Sequence, residues 1–197
     1  MGKKFQNDYN TNRRQRPDGF SKPVRSKKDN MRRMITFDEG RIRFTNRVVG
    51  IALDRGRVLL HRTDDMGFWA LPGGRAELLE PSPETLRREM LEELEADVTV
   101  ERLLWLAENF FQHEGRIHHE LGFYFLMHLS PDSPLRDKTE PFYGHEGETR
   151  IIFEWHSIDS LGTLRLYPTF LRSGLKSIPA NIVHIIHTDG TEESSKP

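Results

Sequence analysis

The sequence predicts an α/β fold in which helices pack on a central mixed β-sheet, and three patterns carry that expectation. Short β-prone runs flank a hairpin signal, Val48 to Leu53 and Val58 to His61 around Asp54-Arg55-Gly56. Leu86, Met90 and Leu94 recur every fourth residue and give one helix an apolar stripe. Residues 119–129 alternate strictly, with His119, Leu121, Phe123, Phe125, Met127 and Leu129 on one face of a strand.

The elements follow in order. After the first hairpin, Phe68 to Leu71 leads into a Gly-rich turn at Pro72-Gly73-Gly74. Ser82-Pro83-Glu84 then opens the helix, with Ser82 read as its N-cap and Pro83 at its first position. Two longer strands, Val98 to Phe111 and Ile117 to Leu129, are joined through His113-Glu114-Gly115-Arg116. On the second, His118, Glu120, Gly122, Tyr124 and His128 share a mixed face suited to lining a cleft. Residues 131–149, rich in Pro, Asp, Glu and Gly, read as a loop. Ile151 to Trp155 reads as a strand, Pro168 as the start of a last helix and Ile182 to Ile186 as a last strand. A sheet with helices on it is the natural packing for such a series.

Charge divides the chain. Residues 1–33 hold eleven Lys/Arg against three Asp, while the remainder holds 18 basic and 27 acidic residues. Residues 1–34 are therefore expected to be a mobile basic arm with too little apolar surface to order itself. Residues 35–190 are expected to form one domain, and 191–197 a flexible tail. The arm is first of all a solubilising tail, and it leaves RNA contact open; a homodimer is left open for the body. With no cysteine there is neither a disulfide framework nor a thiolate metal site. No apolar run nears the roughly 18 residues that span a membrane, and the basic start lacks a secretory core, so the cytoplasm is the expected compartment.

The chemistry is concentrated in residues 74–96, GRAELLEPSPETLRREMLEELEA. Glu89, Glu92 and Glu93 stand at i, i+3 and i+4 and project from one helix face. A Glu-rich helix taken alone is most often a solvated face, but three close carboxylates repel unless a cation sits on them. Oxygen ligands of this kind suit Mg²⁺ or Mn²⁺, which also bind phosphate oxygens.

The surrounding pattern resembles the Nudix box: Gly, five residues, Glu, seven residues, Arg-Glu, an aliphatic, any residue, Glu-Glu, any residue, Gly, an aliphatic. Gly74, Glu80, Arg88-Glu89, Met90 and Glu92-Glu93 fit it without a gap, and Trp69-Ala70-Leu71-Pro72-Gly73-Gly74 looks like the usual lead-in. Glu95 stands where the pattern has Gly, and Ala96 where it has a bulkier aliphatic. These departures question the helix exit, where Gly normally supplies a left-handed cap.

The resemblance implies an α/β/α sandwich with the box folded as loop, helix and loop. It implies Mg²⁺ or Mn²⁺ held chiefly by Glu92 and Glu93, with Glu89 as a further ligand or base. Arg88 is implied as an orienting residue, with Glu80 as its candidate ion-pair partner, and Gly73 and Gly74 as positions where backbone comes close to the site. The implied activity is hydrolysis of a phosphoanhydride in a nucleoside diphosphate derivative. Outside the box Glu120 is the first candidate for a general base, with Glu146 and Glu148 as alternatives. Arg47, Arg57, Arg62 and Arg116 are candidates for holding phosphates. Phe68, Trp69, Phe110, Phe111 and Tyr143 are candidates for base stacking, with core or rim packing the commoner role. The pairs His118/His119 and His184/His187 point apart on their strands and make poor ligand sets. Phe111 stands where relatives acting on ADP-ribose often have Pro, and Gln112-His113-Glu114 where dinucleoside polyphosphate hydrolases often have Tyr. Both readings are lowered but kept, and the remaining pool includes nucleotide sugars, nucleoside triphosphates and capped RNA. Two rivals remain, a catalytically silent binding module on this fold and an RNA-directed enzyme using the arm.

Overall fold

The computed structural model describes residues 33–190. The expected arm, up to residue 32, and the expected tail over 191–197 lie outside the described residues. Arg33 and Met34, assigned to the arm from sequence, pack on the domain instead: Leu78 donates its N–H to the Arg33 carbonyl, and Met34 bridges Glu77. No helix among the described residues is long and apolar enough to cross a membrane.

The chain runs β1 (Thr36–Glu39), β2 (Ile42–Asp54), β3 (Arg57–Thr63), β4 (Gly73–Arg75), α1 (Ser82–Leu94), β5 (Val98–His113) and β6 (Arg116–Leu129). It continues with β7 (Phe142–Glu146), β8 (Thr149–Ser157), the four-residue α2 (Leu171–Gly174) and β9 (Val183–Thr188). The strands are ordered β7-β8-β3-β2-β6-β5-β9, with β1 and β4 also paired to β2. β2 runs parallel to β6 and β5 parallel to β9, while the remaining pairs are antiparallel. Two hairpins turn through left-handed pairs, Arg55-Gly56 (φ 50 and 75) and Glu114-Gly115 (φ 48 and 73), the geometry that matches strand twist.

Apolar residues fill both faces of the sheet. On one side Leu86 and Met90 of α1 meet Val48, Phe125, Met127 and Phe153. On the other, Leu161, Leu166, Leu171 and Leu175 meet Ile51, Trp105 and Tyr124. This is the sandwich expected, although its second layer is built from turns and one short helix.

Four expectations are corrected. Ser82 is already helical, and the N-cap is Pro81, whose carbonyl accepts from Glu84 and Thr85. Residues 131–149 are not all loop: a 3₁₀ turn at Pro134–Asp137 precedes β7, whose Phe142 stacks on Phe153 of β8. Polar residues around one buried aromatic hide that strand in the sequence. Pro168 accepts from Leu171 in a turn and heads no long helix. β2 reaches back to Ile42, because β1 and β6 supply partners for a stretch of mixed polarity. The helix exit survives its departure from Gly: Glu95 takes the left-handed conformation itself, φ 53, and donates to the Leu91 carbonyl.

Candidate active site

Helix α1 sets Glu89 and Glu93, one turn apart, into a cavity of about 400 Å³ between its own face, the β4 turn and the large sheet. Both are buried, at 7% and 5% exposure. Glu92 is exposed and lies outside the cavity lining. The three glutamates share a helix face, as expected, but not an environment. Among the described residues, no three His, Asp or Glu side chains are gathered into a ready coordination set.

Arg88 ties the box together. Its guanidinium donates to Glu80 Oε1 at 2.9 Å and Oε2 at 3.0 Å, to Glu89 Oε1 at 2.7 Å and to Glu92 Oε2 at 3.3 Å. It also reaches the Arg75 carbonyl at 3.3 Å. Burial works against the Glu80 charge, but hydrogen bonds from Arg88 and Thr85 hold its carboxyl below the ordinary value. Arg88 and Glu80 therefore fix the loop to the helix around a charged pair.

Gly74 lies so close to α1 that a Cβ there would collide with the Glu89 carboxyl. The loop backbone thus forms one wall around that carboxylate. Neighbouring Gly73 accepts from Arg47 Nη2 at 3.0 Å. Burial raises the Glu89 carboxyl above its ordinary value. Glu93 is pushed up to about 8, by burial first and then by the charge of Glu89. Its Oε2 is buried without a hydrogen-bond partner. Two acids held out of water, one with an orphaned oxygen, fit an oxygen-loving divalent cation.

The opposite wall comes from the sheet. Glu120 and Tyr124 of β6, Asn109 and Phe111 of β5, and Arg47 of β2 all line the cavity, so the mixed face of β6 does face a cleft. His128 stands at the far end of that strand, hydrogen-bonded to Glu101. Burial raises the Glu120 carboxyl, and Asn109 stands opposite it across the hairpin. Glu146 also lines the cavity, close enough for its charge to raise Glu93, whereas Glu148 sits exposed in the β7–β8 turn and does not.

Of the other candidates, Arg62 lines the cavity, with its guanidinium 5.1 Å from the Trp69 ring. Arg57 is committed to Asp54 and to carbonyls of Arg136 and Lys138, and Arg116 to Asp38; neither reaches the cavity. Phe68 and Phe111 line it; Trp69, Phe110 and Tyr143 do not. His118 stacks on Phe111 and His119 on Phe110, from opposite sides of the sheet. His184 bonds Glu108 and His187 bonds Asp189. Neither histidine pair converges.

Sequence reasoning missed His61, Asn109 and Asp189, all buried and all lining the cavity. Burial, then the charge of Arg47, lowers His61 to about 3 and keeps it neutral. Asn109 had a usable signal. Counting back from the two-residue turn at Glu114-Gly115 pairs it with Glu120.

A family model described as the NUDIX domain matches residues 44–176, most of the described chain. No curated protein gives a match. Among solved structures, a UDP-X diphosphatase is 20% identical over 72% of this chain and 66% of its own, with a TM-score of 0.51. An ADP-ribose pyrophosphatase from Streptococcus suis is 16% identical over 72% and 98%, at 0.49, and a mutator MutT protein from Bacillus halodurans 21% identical over 73% and 89%, at 0.47. The first of these supports the shared fold. With the family match running from β2 through the box to α2, the chain belongs to the Nudix hydrolase family.

Proposed function

We propose that the protein is a metal-dependent hydrolase that cleaves a phosphoanhydride bond in a nucleoside diphosphate derivative, with residues 35–190 as the catalytic domain. The observation that carries this reading is the buried pair Glu89 and Glu93, with Glu93 Oε2 unpartnered at the cavity wall. A buried acid with one oxygen left without a donor, beside a second buried acid, is an unfavourable arrangement unless a cation completes it.

Glu89 and Glu93 would hold Mg²⁺ or Mn²⁺, and Glu92 would complete the set on releasing Arg88. Bound there, a divalent ion neutralises phosphate charge and acidifies a coordinated water. Arg47, Arg62 and Arg75 line the cavity as cationic side chains for the remaining phosphate oxygens, while Arg43, also in the lining, is held by Asp38. Phe68 and Phe111 give flat apolar walls for a nucleoside. Gly73 and Gly74 keep backbone rather than side chain against the carboxylates. For the proton acceptor outside the box, Glu146 is favoured by its nearness to Glu93, and Glu120 by its face alone.

The test is a panel of nucleoside diphosphate sugars, ADP-ribose, dinucleoside polyphosphates and nucleoside triphosphates, with Mg²⁺, Mn²⁺ or EDTA. Metal-dependent cleavage of at least one compound, lost in Glu93→Gln, is the expected result. Absence of cleavage throughout, with nucleotide binding retained, would replace the hydrolase by a silent binding module.

A further inference from the structure

Helix α1 covers only part of the sheet face on which it lies. Leu86 and Met90 rest on Val48, Phe125 and Met127, and β2 and β6 run on beyond them toward Ile42 and Ile117. Residues paired across strands share a face, so the pairing defines the rows beyond the helix. Phe37 of β1, Phe44 of β2, His119 of β6 and Phe110 of β5 form one row across four strands. Ile42 and Ile117 lie in the row outside it, and Leu121, Glu108 and Ile186 in the row inside it. Rings touch along the middle row: Phe37 and Phe44 at 5.1 Å, Phe44 and His119 at 5.2 Å, His119 and Phe110 at 4.6 Å. None of Phe37, Phe44, Phe110, Leu121 and Ile186 belongs to either buried core of the described residues.

The open area is large for a free surface. Phe37 is 62% exposed, Ile42 46%, Ile117 43% and Ile186 72%, while Phe44, Phe110, His119 and Leu121 are half-buried. With roughly 150–250 Å² on each aromatic side chain and somewhat less on an aliphatic one, the open apolar surface comes to about 500 Å². Patches of that size are among the largest that monomers carry, and they mark contact sites. Exposed Glu39, Gln112 and Thr188 form a polar rim. With that rim the face approaches the roughly 800 Å² per partner that a stable dimer buries.

Charge selects the partner. No lysine or arginine stands in these rows. Arg43 and Arg116 bond to Asp38 on the opposite face. Glu108, the one acid among the apolar residues, shares a hydrogen bond with His184 Nε2 at 2.8 Å. A nucleic acid or an acidic protein finds no cation here, and a basic protein finds only a paired acid and the rim. A second copy of the same face meets no repulsion, and one two-fold axis sets each patch against itself. We propose that the chain forms a two-fold homodimer through the half of this sheet face that α1 leaves open, with the two ring rows packed together at the spacing of about 10 Å that stacked sheets adopt. The contact backs onto the cavity, because Phe111 and Glu120, which line it, alternate with Phe110 and His119 along β5 and β6.

The experiment is sedimentation of the full chain between low and high micromolar concentration, in about 0.15 M and about 1 M salt. A dimer that persists in high salt is expected, because the contact is apolar. Phe37→Asp and Ile186→Asp, at opposite edges of the patch, each set a carboxylate into that contact. Each is expected to weaken the dimer about thirtyfold or more and to leave a folded monomer by thermal melting. If one of the two fails to fold, the other carries the test. Tyr143→Asp changes a residue that is 56% exposed on β7, at the other end of the strand order, and is expected to leave the dimer intact. A monomer at every concentration overturns the proposal, and so does a dimer that both folded variants retain. A dimer that dissociates in high salt, or that Tyr143→Asp disrupts as strongly, overturns it by placing the contact elsewhere.

Discussion

Replacing Glu93 by Gln isolates the burial of one charge, because shape is nearly conserved while the ionisable proton is removed. In the metal-free protein the Glu93 carboxyl is pushed from 4.5 up to about 8. Its folded pKa is raised, so its contribution to stability is fully present below about 4.5 and is lost as pH rises through about 8. At roughly 1.4 kcal/mol per tenfold change in proton affinity, the ceiling on that loss is about 5 kcal/mol. Relaxation and entering water reduce it, and about 2 kcal/mol is the working figure. For a domain of this size that corresponds to a few degrees, roughly 4–8 °C, in Tm. The assay is thermal melting of parent and Glu93→Gln in EDTA from pH 5 to 9. The variant should match the parent near pH 5 and melt progressively higher above it. Adding Mn²⁺ at pH 8 should raise the parent strongly and the variant little, by binding linkage. A Tm difference that is flat with pH, or a variant that responds to Mn²⁺ like the parent, would refute the reasoning.

Three further perturbations test other parts of the site. Arg88→Lys keeps the charge but cannot reach Glu80, Glu89 and Glu92 together, and should lower stability by about 2–4 kcal/mol in urea melts, with loss of turnover. Leu79, 94% exposed at φ 65, holds a left-handed conformation with no packing in return, so Leu79→Gly should raise the urea midpoint by about 1 kcal/mol in stability with m unchanged. Glu146→Gln should lower kcat while leaving metal-induced stabilisation near that of the parent; unchanged kcat would return the base to Glu120 or to the box.

Much of this architecture is legible in local pattern. The stripe Leu86 and Met90, and the turns Arg55-Gly56 and Glu114-Gly115, mark a helix and two hairpins through interactions within a few residues. What stays hidden depends on distant partners. The spacing of Glu89, Glu92 and Glu93 fixes a shared face but not depth. Glu89 is enclosed by Gly74, while the backbone at Glu93 packs on Gly144, too close to admit a Cβ there. Glu92 escapes such cover. β7 is stabilised by one buried ring, Phe142, against a strand that follows it, and its polar neighbours read as loop. His61 gives no sign of its burial, because Ala70 and Phe153, which cover it, come from separate segments.

The parallel pairing of β2 with β6 has a consequence for how the active site comes into being. Residues 42–52 pair with 117–127, so β3, β4, the whole box and β5 lie inside the chain closed by that contact. Closing so long a loop has an entropic cost, and non-local pairings of this kind slow folding relative to hairpins. During synthesis the glutamates leave the ribosome before the strand that carries Glu120, and α1 must wait with its apolar stripe uncovered. The two walls of the cavity cannot form independently of each other. Catalytic competence in this chain therefore arrives late and all at once, with the last long strand rather than with the motif that marks the family.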